Sequence, residues 1–203
     1  MNRIRRIIQA VALRPIMRLL GLHIRGRNHL DIPGPAILVA NLNSHVDTAA
    51  LMAAVPNRIL PRVRPAAAAD YFLRNRFAAW LSTRLVGIVA VDRCGTTEDP
   101  LRGCTAALRR GEIVIVFPEG TRGQPEVPQP FRRGVAHLIR ANPDVPVIPI
   151  RIVGAGRVLP KGARFPRHLG IQVTVGTPLS LEPSGPIAAT TESVEEAVWS
   201  LAA

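Results

Sequence analysis

The sequence is poor in aromatic residues, carries one lysine and two cysteines, and has no run of eighteen uncharged apolar residues. Each shortage excludes something. With aromatics at 4%, few flat platforms exist on which single-stranded bases could stack. Zinc-finger spacing, an RNP-like aromatic motif and a basic-region heptad pattern are missing, so nucleic acid has little support as a partner. Cys94 and Cys104 are separated by nine residues with no His–Cys cluster nearby, which points to reduced thiols and against a structural zinc site. No segment is apolar for long enough to read as a transmembrane helix. A Gly-Lys-Ser/Thr ending occurs nowhere. The pair Gly154-Ala-Gly156 has Leu159 where a dinucleotide fingerprint needs its third glycine. Neither nucleotide motif is present.

What the chain does have is arginine. Its 203 residues suit one domain, 47% of them are apolar, and the formal net charge is +12. All 26 basic residues, 25 of them Arg, precede residue 168, whereas residues 182–203 hold four Glu and no base. The body of the protein should therefore attract anions: phosphate esters, acidic lipid or, on charge alone, nucleic acid.

The first 25 residues form a separate expectation. Seven Arg and no acid precede Asp31, and Ile4, Ile7, Ile8 and Val11 share one helical face. Arg14 and Arg18 interrupt the apolar stretch and no small-residue cleavage site follows, which fits a secretory signal poorly. A basic amphipathic helix on an anionic membrane surface suits residues 1–25 better. The plainer alternative is a helix packed on the domain with solvated arginines. Residues 26–203 then form the α/β domain.

Along that domain, Ala36–Ala40 reads as a short buried strand after the turn Pro33-Gly-Pro35. Thr48–Val55 reads as a helix, with Ser44 as its cap and Asp47 three residues on. Pro56, Pro61 and Pro65 punctuate a loop. A helix over Asp70–Leu85 precedes an apolar run at Val86–Val91. Leu101–Arg110 is helical, Ile113–Phe117 is a strand, and Gly134–Arg140 is a helix. Strands follow at Val147–Val153 and Ile171–Val175, and Val194–Leu201 closes the chain as a helix. Alternating strands and helices predict an α/β fold: a mostly parallel or mixed central sheet with helices on both faces.

The sharpest local feature is Phe117-Pro-Glu-Gly-Thr-Arg122, directly after a strand, where active sites of open α/β sheets gather. Gly120 lets the backbone approach a ligand closely, Thr121 offers a hydroxyl, and Arg122 a planar fork suited to phosphate. Phe131-Arg132-Arg133-Gly134 adds cations before the next helix. Arg93, in Val91-Asp92-Arg93, follows another strand within reach of the same pocket, although a surface ion pair is the duller account. Both arginine blocks also read as polar turns with solvated side chains. Lys161 reads as a solvated turn residue.

In this order, Asn41–Asp47, Asp70-Tyr71-Phe72, Val91-Asp92-Arg93, Phe117–Arg122, Phe131–Gly134 and Val145-Pro-Val-Ile-Pro149 resemble the glycerolipid acyltransferases related to 1-acylglycerol-3-phosphate acyltransferase. The resemblance runs from about Gly26 to Pro178. It implies a thioester acyl donor, acyl-CoA or acyl carrier protein, as co-substrate, with no cofactor and no metal. The acceptor it implies is a lysophospholipid-type hydroxyl, most naturally 1-acylglycerol-3-phosphate, in phospholipid biosynthesis. A peripheral place on the cytoplasmic face of the cell membrane goes with it. Glu119, Gly120, Thr121, Arg122, Arg93 and Arg133 would shape the acceptor phosphate pocket. A noncatalytic lipid- or acyl-carrier-binding protein on the same fold is the alternative.

One position departs from the resemblance. The family's first motif is Asn-His-x-x-x-x-Asp, whose His removes the proton of the acceptor hydroxyl while the Asp orients the imidazole. Aligned on Asp47, that His falls on Leu42, which has neither lone pair nor exchangeable proton. His45 is the nearby substitute, but two residues from Asp47 on a helix is about 200° around the axis. His45 is therefore read as an accessory polar residue at the helix start, with a relocated base as the alternative. Asp47 also has a plain role as a first-turn carboxylate favoured by the helix dipole.

Overall fold

A computed structural model of the chain describes residues 9–68, 87–91, 100–121, 127–158, 169–182 and 184–202, with the backbone alone at Gln9, Ala10, His45, Ala68 and Ala90. The predicted helix over 70–85, Arg93, Cys94 and Arg122 lie outside these residues.

Short hydrophobic runs make the sheet. Its strands are β1 (Leu22–Arg25), β2 (Ala36–Ala40), β3 (Val63–Ala68), β4 (Val89–Val91), β5 (Ile113–Val116), β6 (Val147–Val153) and β7 (Ile171–Val175). Among the described residues they form one seven-stranded sheet in the order β1-β7-β6-β2-β5-β3-β4. All neighbours are parallel except β6 and β7, so the sheet is mixed, with β1 and β7 reversed. β2 lies near the centre, and all five of its residues are buried, as a strand covered on both faces requires.

Period-two alternation sorts the side chains into two cores. Ala36, Leu38 and Ala40 join Ile113, Ile115, Ile148, Ile150 and Ile152 on one face. There they pack against α2 (His45–Ala54) and α1 (Arg14–Leu19). Ile37, Val39, Val114 and Val147 face the other way, against α3 (Arg102–Arg109), α4 (Gly134–Arg140) and the closing helix α6 (Ile187–Ser200). A short helix, α5 (Ala155–Val158), follows β6.

Three expectations change. Leu22–Arg25 is not part of an N-terminal helix; it pairs with β7 as an edge strand whose residues alternate between half-buried and exposed. The proline-punctuated loop contains β3, because Val63 and Pro65 pair with Ile113 and Ile115 in spite of the proline. The closing helix also begins earlier than expected, at Ile187 just after Pro186.

The N-terminal segment docks on the body through buried Met17. Its arginines are partly spent there. Arg14 donates from Nη2 to the Val55 carbonyl at 2.7 Å and from Nε to that of Ala53 at 3.2 Å. Arg27 Nε donates to the Ala54 carbonyl at 3.1 Å. These are the orphan carbonyls at the C-terminus of α2, where cations are favoured. Burial, then the nearby charges of Arg27 and Arg18, draw the Arg14 guanidinium below its usual pKa. On the outer side, Val11, Ile16 and Leu19 remain 72%, 50% and 77% exposed.

Candidate active site

β2 and β5 are adjacent and parallel, with Val39 opposite Val116. Their carboxyl ends therefore deliver two loops side by side: Asn41–Ser44 from β2, and Phe117–Thr121 from β5. This is where a ligand site is expected in an open α/β sheet.

The first loop is tied down by its own polar residues. Asn41, 1% exposed, makes both of its amide bonds to one residue of β6: Nδ2 donates to the Ile152 carbonyl at 2.8 Å, and Oδ1 accepts from the Ile152 N–H at 2.7 Å. Asn43 Nδ2 also donates to the Ile152 carbonyl, at 3.2 Å. Ser44 then caps α2, with its hydroxyl accepting from the Val46 N–H at 3.3 Å. Asp47 completes the capping box. Its fully buried Oδ2 accepts from the N–H groups of Asn43 and Ser44, both at 2.5 Å. The expected cap is present, with the helix starting at His45 and not at Thr48. Asp47 thus holds the loop that precedes it. The His45 side chain lies outside the described residues.

The second loop turns at Gly120, whose φ of +75° suits glycine. A Cβ there would lie 2.9 Å from Arg132 Nε. The same Nε donates to the Glu119 carbonyl at 3.2 Å, and the Arg132 N–H to the Pro118 carbonyl at 3.0 Å. Of the two arginines in the Phe131–Gly134 block, it is therefore Arg132 that braces the turn. Arg133 is exposed at the start of α4, and its side chain makes no hydrogen bond among the described residues. Thr121 is exposed at the end of the turn. Glu195 of α6 supports the block from behind, accepting from the Phe131 N–H at 3.0 Å.

Among the described residues, one bond joins the two loops. Glu119 Oε1 accepts from the Leu42 N–H at 2.9 Å, across 77 residues of sequence. The Glu119 side chain is almost wholly buried, with the residue 3% exposed. Burial raises its pKa to about 7; the Leu42 N–H opposes that rise, and the Glu195 charge adds to it. A carboxyl poised near neutrality thus sits against the backbone of the residue that replaces the expected histidine.

The structure brings together Leu42, Asp47, Glu119, Gly120 and Thr121 at one end of the sheet. Sequence reasoning missed Asn41, Arg132 and Glu195 as site supports. Asn41 was visible as a motif match, whereas nothing local marks Glu195, which reaches the site only through the packing of α6.

Comparison with known proteins bears on the family and the fold. The family model described as Acyltransferase matches residues 21–153. The chain is 32% identical over 148 residues to 1-acyl-sn-glycerol-3-phosphate acyltransferase alpha of Mus musculus, covering 66% of this chain and 50% of the mouse protein. It is 33% identical over 98 residues to the chloroplastic 1-acyl-sn-glycerol-3-phosphate acyltransferase BAT2 of Brassica napus, covering 47% of this chain and 28% of that protein. The chain thus spans half, or less, of the length of these relatives. Its fold resembles the crystal structure of the 1-acyl-sn-glycerophosphate (LPA) acyltransferase PlsC from Thermotoga maritima. The TM-score is 0.68 at 20% identity, covering 94% of this chain and 78% of that one.

Proposed function

This chain belongs to the acyltransferase family, and from that premise we propose that it transfers an acyl group from a thioester carrier to the free hydroxyl of a lysophospholipid-type acceptor, most naturally 1-acylglycerol-3-phosphate. The observation that carries the proposal is the bond between Leu42 and Glu119. It holds the two motif loops together at the carboxyl ends of neighbouring parallel strands. The acceptor is the one printed in the names of the relatives. Acyl-CoA or acyl carrier protein supplies the thioester.

The roles follow from chemistry. Arg122, Arg93 and Arg133 offer forks for the acceptor phosphate, and Thr121 a hydroxyl beside it. Gly120 keeps the backbone open to close approach. Asp47 fixes the loop that carries residue 42. In the attack itself, the acceptor oxygen bonds to the thioester carbonyl carbon and the carbon–sulfur bond breaks. No covalent enzyme intermediate is needed. The exposed apolar side chains of the N-terminal segment and its arginines support peripheral seating on an anionic membrane, on the cytoplasmic face where thioester carriers are available.

Leu42 favours a second reading, a noncatalytic protein that binds the lipid acceptor or the acyl carrier on this fold. Product analysis separates the two. Incubation with acyl-CoA or acyl carrier protein and lysophosphatidate should yield phosphatidate by mass spectrometry, and Arg122→Ala should weaken acceptor binding about tenfold or more. Acceptor binding without product from either donor supports the noncatalytic reading. Unchanged acceptor affinity in Arg122→Ala removes the phosphate pocket assignment.

A further inference from the structure

We propose that Glu119 is the group that takes the proton from the acceptor hydroxyl in this chain, in place of a histidine. The inference rests on acyl transfer as proposed above and adds the identity of its base.

Leu42 leaves the first motif without a base at its usual place, yet the proton of the attacking hydroxyl has to go somewhere. Among the described residues, two carboxylates stand at or beside the joined loops. Asp47 is committed to the helix cap, with Oδ2 held by the Asn43 and Ser44 N–H groups. Glu119 differs. Oε1 is held by the Leu42 N–H, which fixes the carboxylate against residue 42, while no donor among the described residues reaches Oε2. The parallel register of β2 and β5 enforces this placement, so the carboxylate is positioned by the sheet and not by a mobile surface turn. Charge also speaks against Glu119 as a phosphate ligand, because an ionised carboxylate repels a phosphate. Among the described residues, the charged groups that act on it are Arg132, whose Nε bonds the Glu119 carbonyl, and Glu195 on α6. Burial and Glu195 place the carboxyl near neutrality, where proton transfer is most effective.

The step balances. The hydroxyl oxygen attacks the thioester carbonyl carbon as its proton passes to Oε2, and the carbonyl electron pair moves onto oxygen. Collapse restores the carbonyl and expels the thiolate, to which Glu119 returns the proton. Nothing is oxidised or reduced.

The test compares the unchanged chain, Glu119→Gln, Leu42→His, His45→Ala and the double variant of Glu119→Gln with Leu42→His, using acyl-CoA or acyl-loaded acyl carrier protein with lysophosphatidate across pH 5–9. Circular dichroism verifies folding of each. The unchanged chain should turn over with kcat rising to a plateau through about pH 7. Glu119→Gln should lose about 10²–10⁴-fold in kcat with KM for lysophosphatidate nearly unchanged. The double variant should recover turnover, because an imidazole at position 42 takes over the proton. Infrared titration of the unchanged chain against Glu119→Gln should show one carboxyl band disappearing near pH 7. Three results overturn the assignment: kcat kept in Glu119→Gln, activity lost in His45→Ala but not in Glu119→Gln, or no recovery in the double variant together with lost acceptor binding. Turnover by Leu42→His but not by the unchanged chain also overturns it, and leaves acyl transfer standing for the fold. Silence in both, with either thioester carrier, removes acyl transfer itself and the base with it.

Discussion

At Asn41 the side-chain amide closes a two-bond ring on the backbone of Ile152. The exchange supplies, with one side chain, the pattern that another residue of β2 would have made. It ends the strand and starts the loop without orphaning a buried N–H or carbonyl. Asn41→Ala should therefore destabilise the protein by about 1–3 kcal/mol, since the buried Ile152 N–H loses its partner while the Ile152 carbonyl keeps only the longer bond from Asn43. Urea unfolding measures this, and a change below about 0.5 kcal/mol would show that water or a neighbour satisfies them. Asn41 and Asp47 were legible as motif positions, and Ser44 as a cap. The contact of Glu119 with Leu42 was not. It spans 77 residues and exists because Val39 registers with Val116, a fact of sheet pairing that no local pattern reveals. Residue types announced the chemistry; strand register decided which groups meet.

The same limit operates on whole elements. β2, β5 and β6 were legible as compact apolar runs and β7 by its alternation, and the strand-helix pattern implied the parallel packing of β2 with β5 and β6, though not the antiparallel pairing of β6 with β7. β3 was hidden by Pro61 and Pro65, which count against a strand until pairing partners are known. β1 was hidden inside an arginine-rich stretch, where one basic residue in a four-residue edge strand resembles the helix before it. The helix α2 shows the opposite case, in which a local signal was sufficient. Its Ser44–Asp47 capping box answers two orphan donors reciprocally, so the helix start is written in four residues. Ser44→Ala should cost about 1 kcal/mol by thermal or urea unfolding. It should also loosen the loop that carries Leu42, seen as faster amide exchange at Asn43 and Val46 under native conditions. Unaltered exchange would mean that the Ile152 bonds alone hold the loop.

For the molecule as a whole, charge and burial set two further expectations. The folded pKa of Glu119, about 7, lies above its ordinary value, so the folded state binds the extra proton more tightly than the unfolded state. Its contribution to stability is complete below the ordinary carboxylate range and is lost as pH rises through about 7. Glu119→Gln removes that loss. The variant should match the unchanged chain near pH 4 and exceed it at pH 8 by up to about 3 kcal/mol. A stability difference that does not vary with pH would mean that the carboxyl titrates normally. The outer face of the N-terminal segment is the second. Ile16→Ser with Leu19→Ser should weaken sedimentation with anionic vesicles about tenfold or more, while neutral vesicles bind poorly throughout. Equal binding by the double variant would place membrane contact elsewhere. The central claim is that the site at the carboxyl ends of β2 and β5 moves an acyl group onto a phosphorylated lipid acceptor. Its most direct measurement is release of free thiol from acyl-CoA and, in parallel, from acyl-loaded acyl carrier protein by the unchanged chain at pH 8, with and without lysophosphatidate, above the protein-free background. The account predicts release that depends on the acceptor and saturates with it; release indifferent to lysophosphatidate, or none, would contradict it.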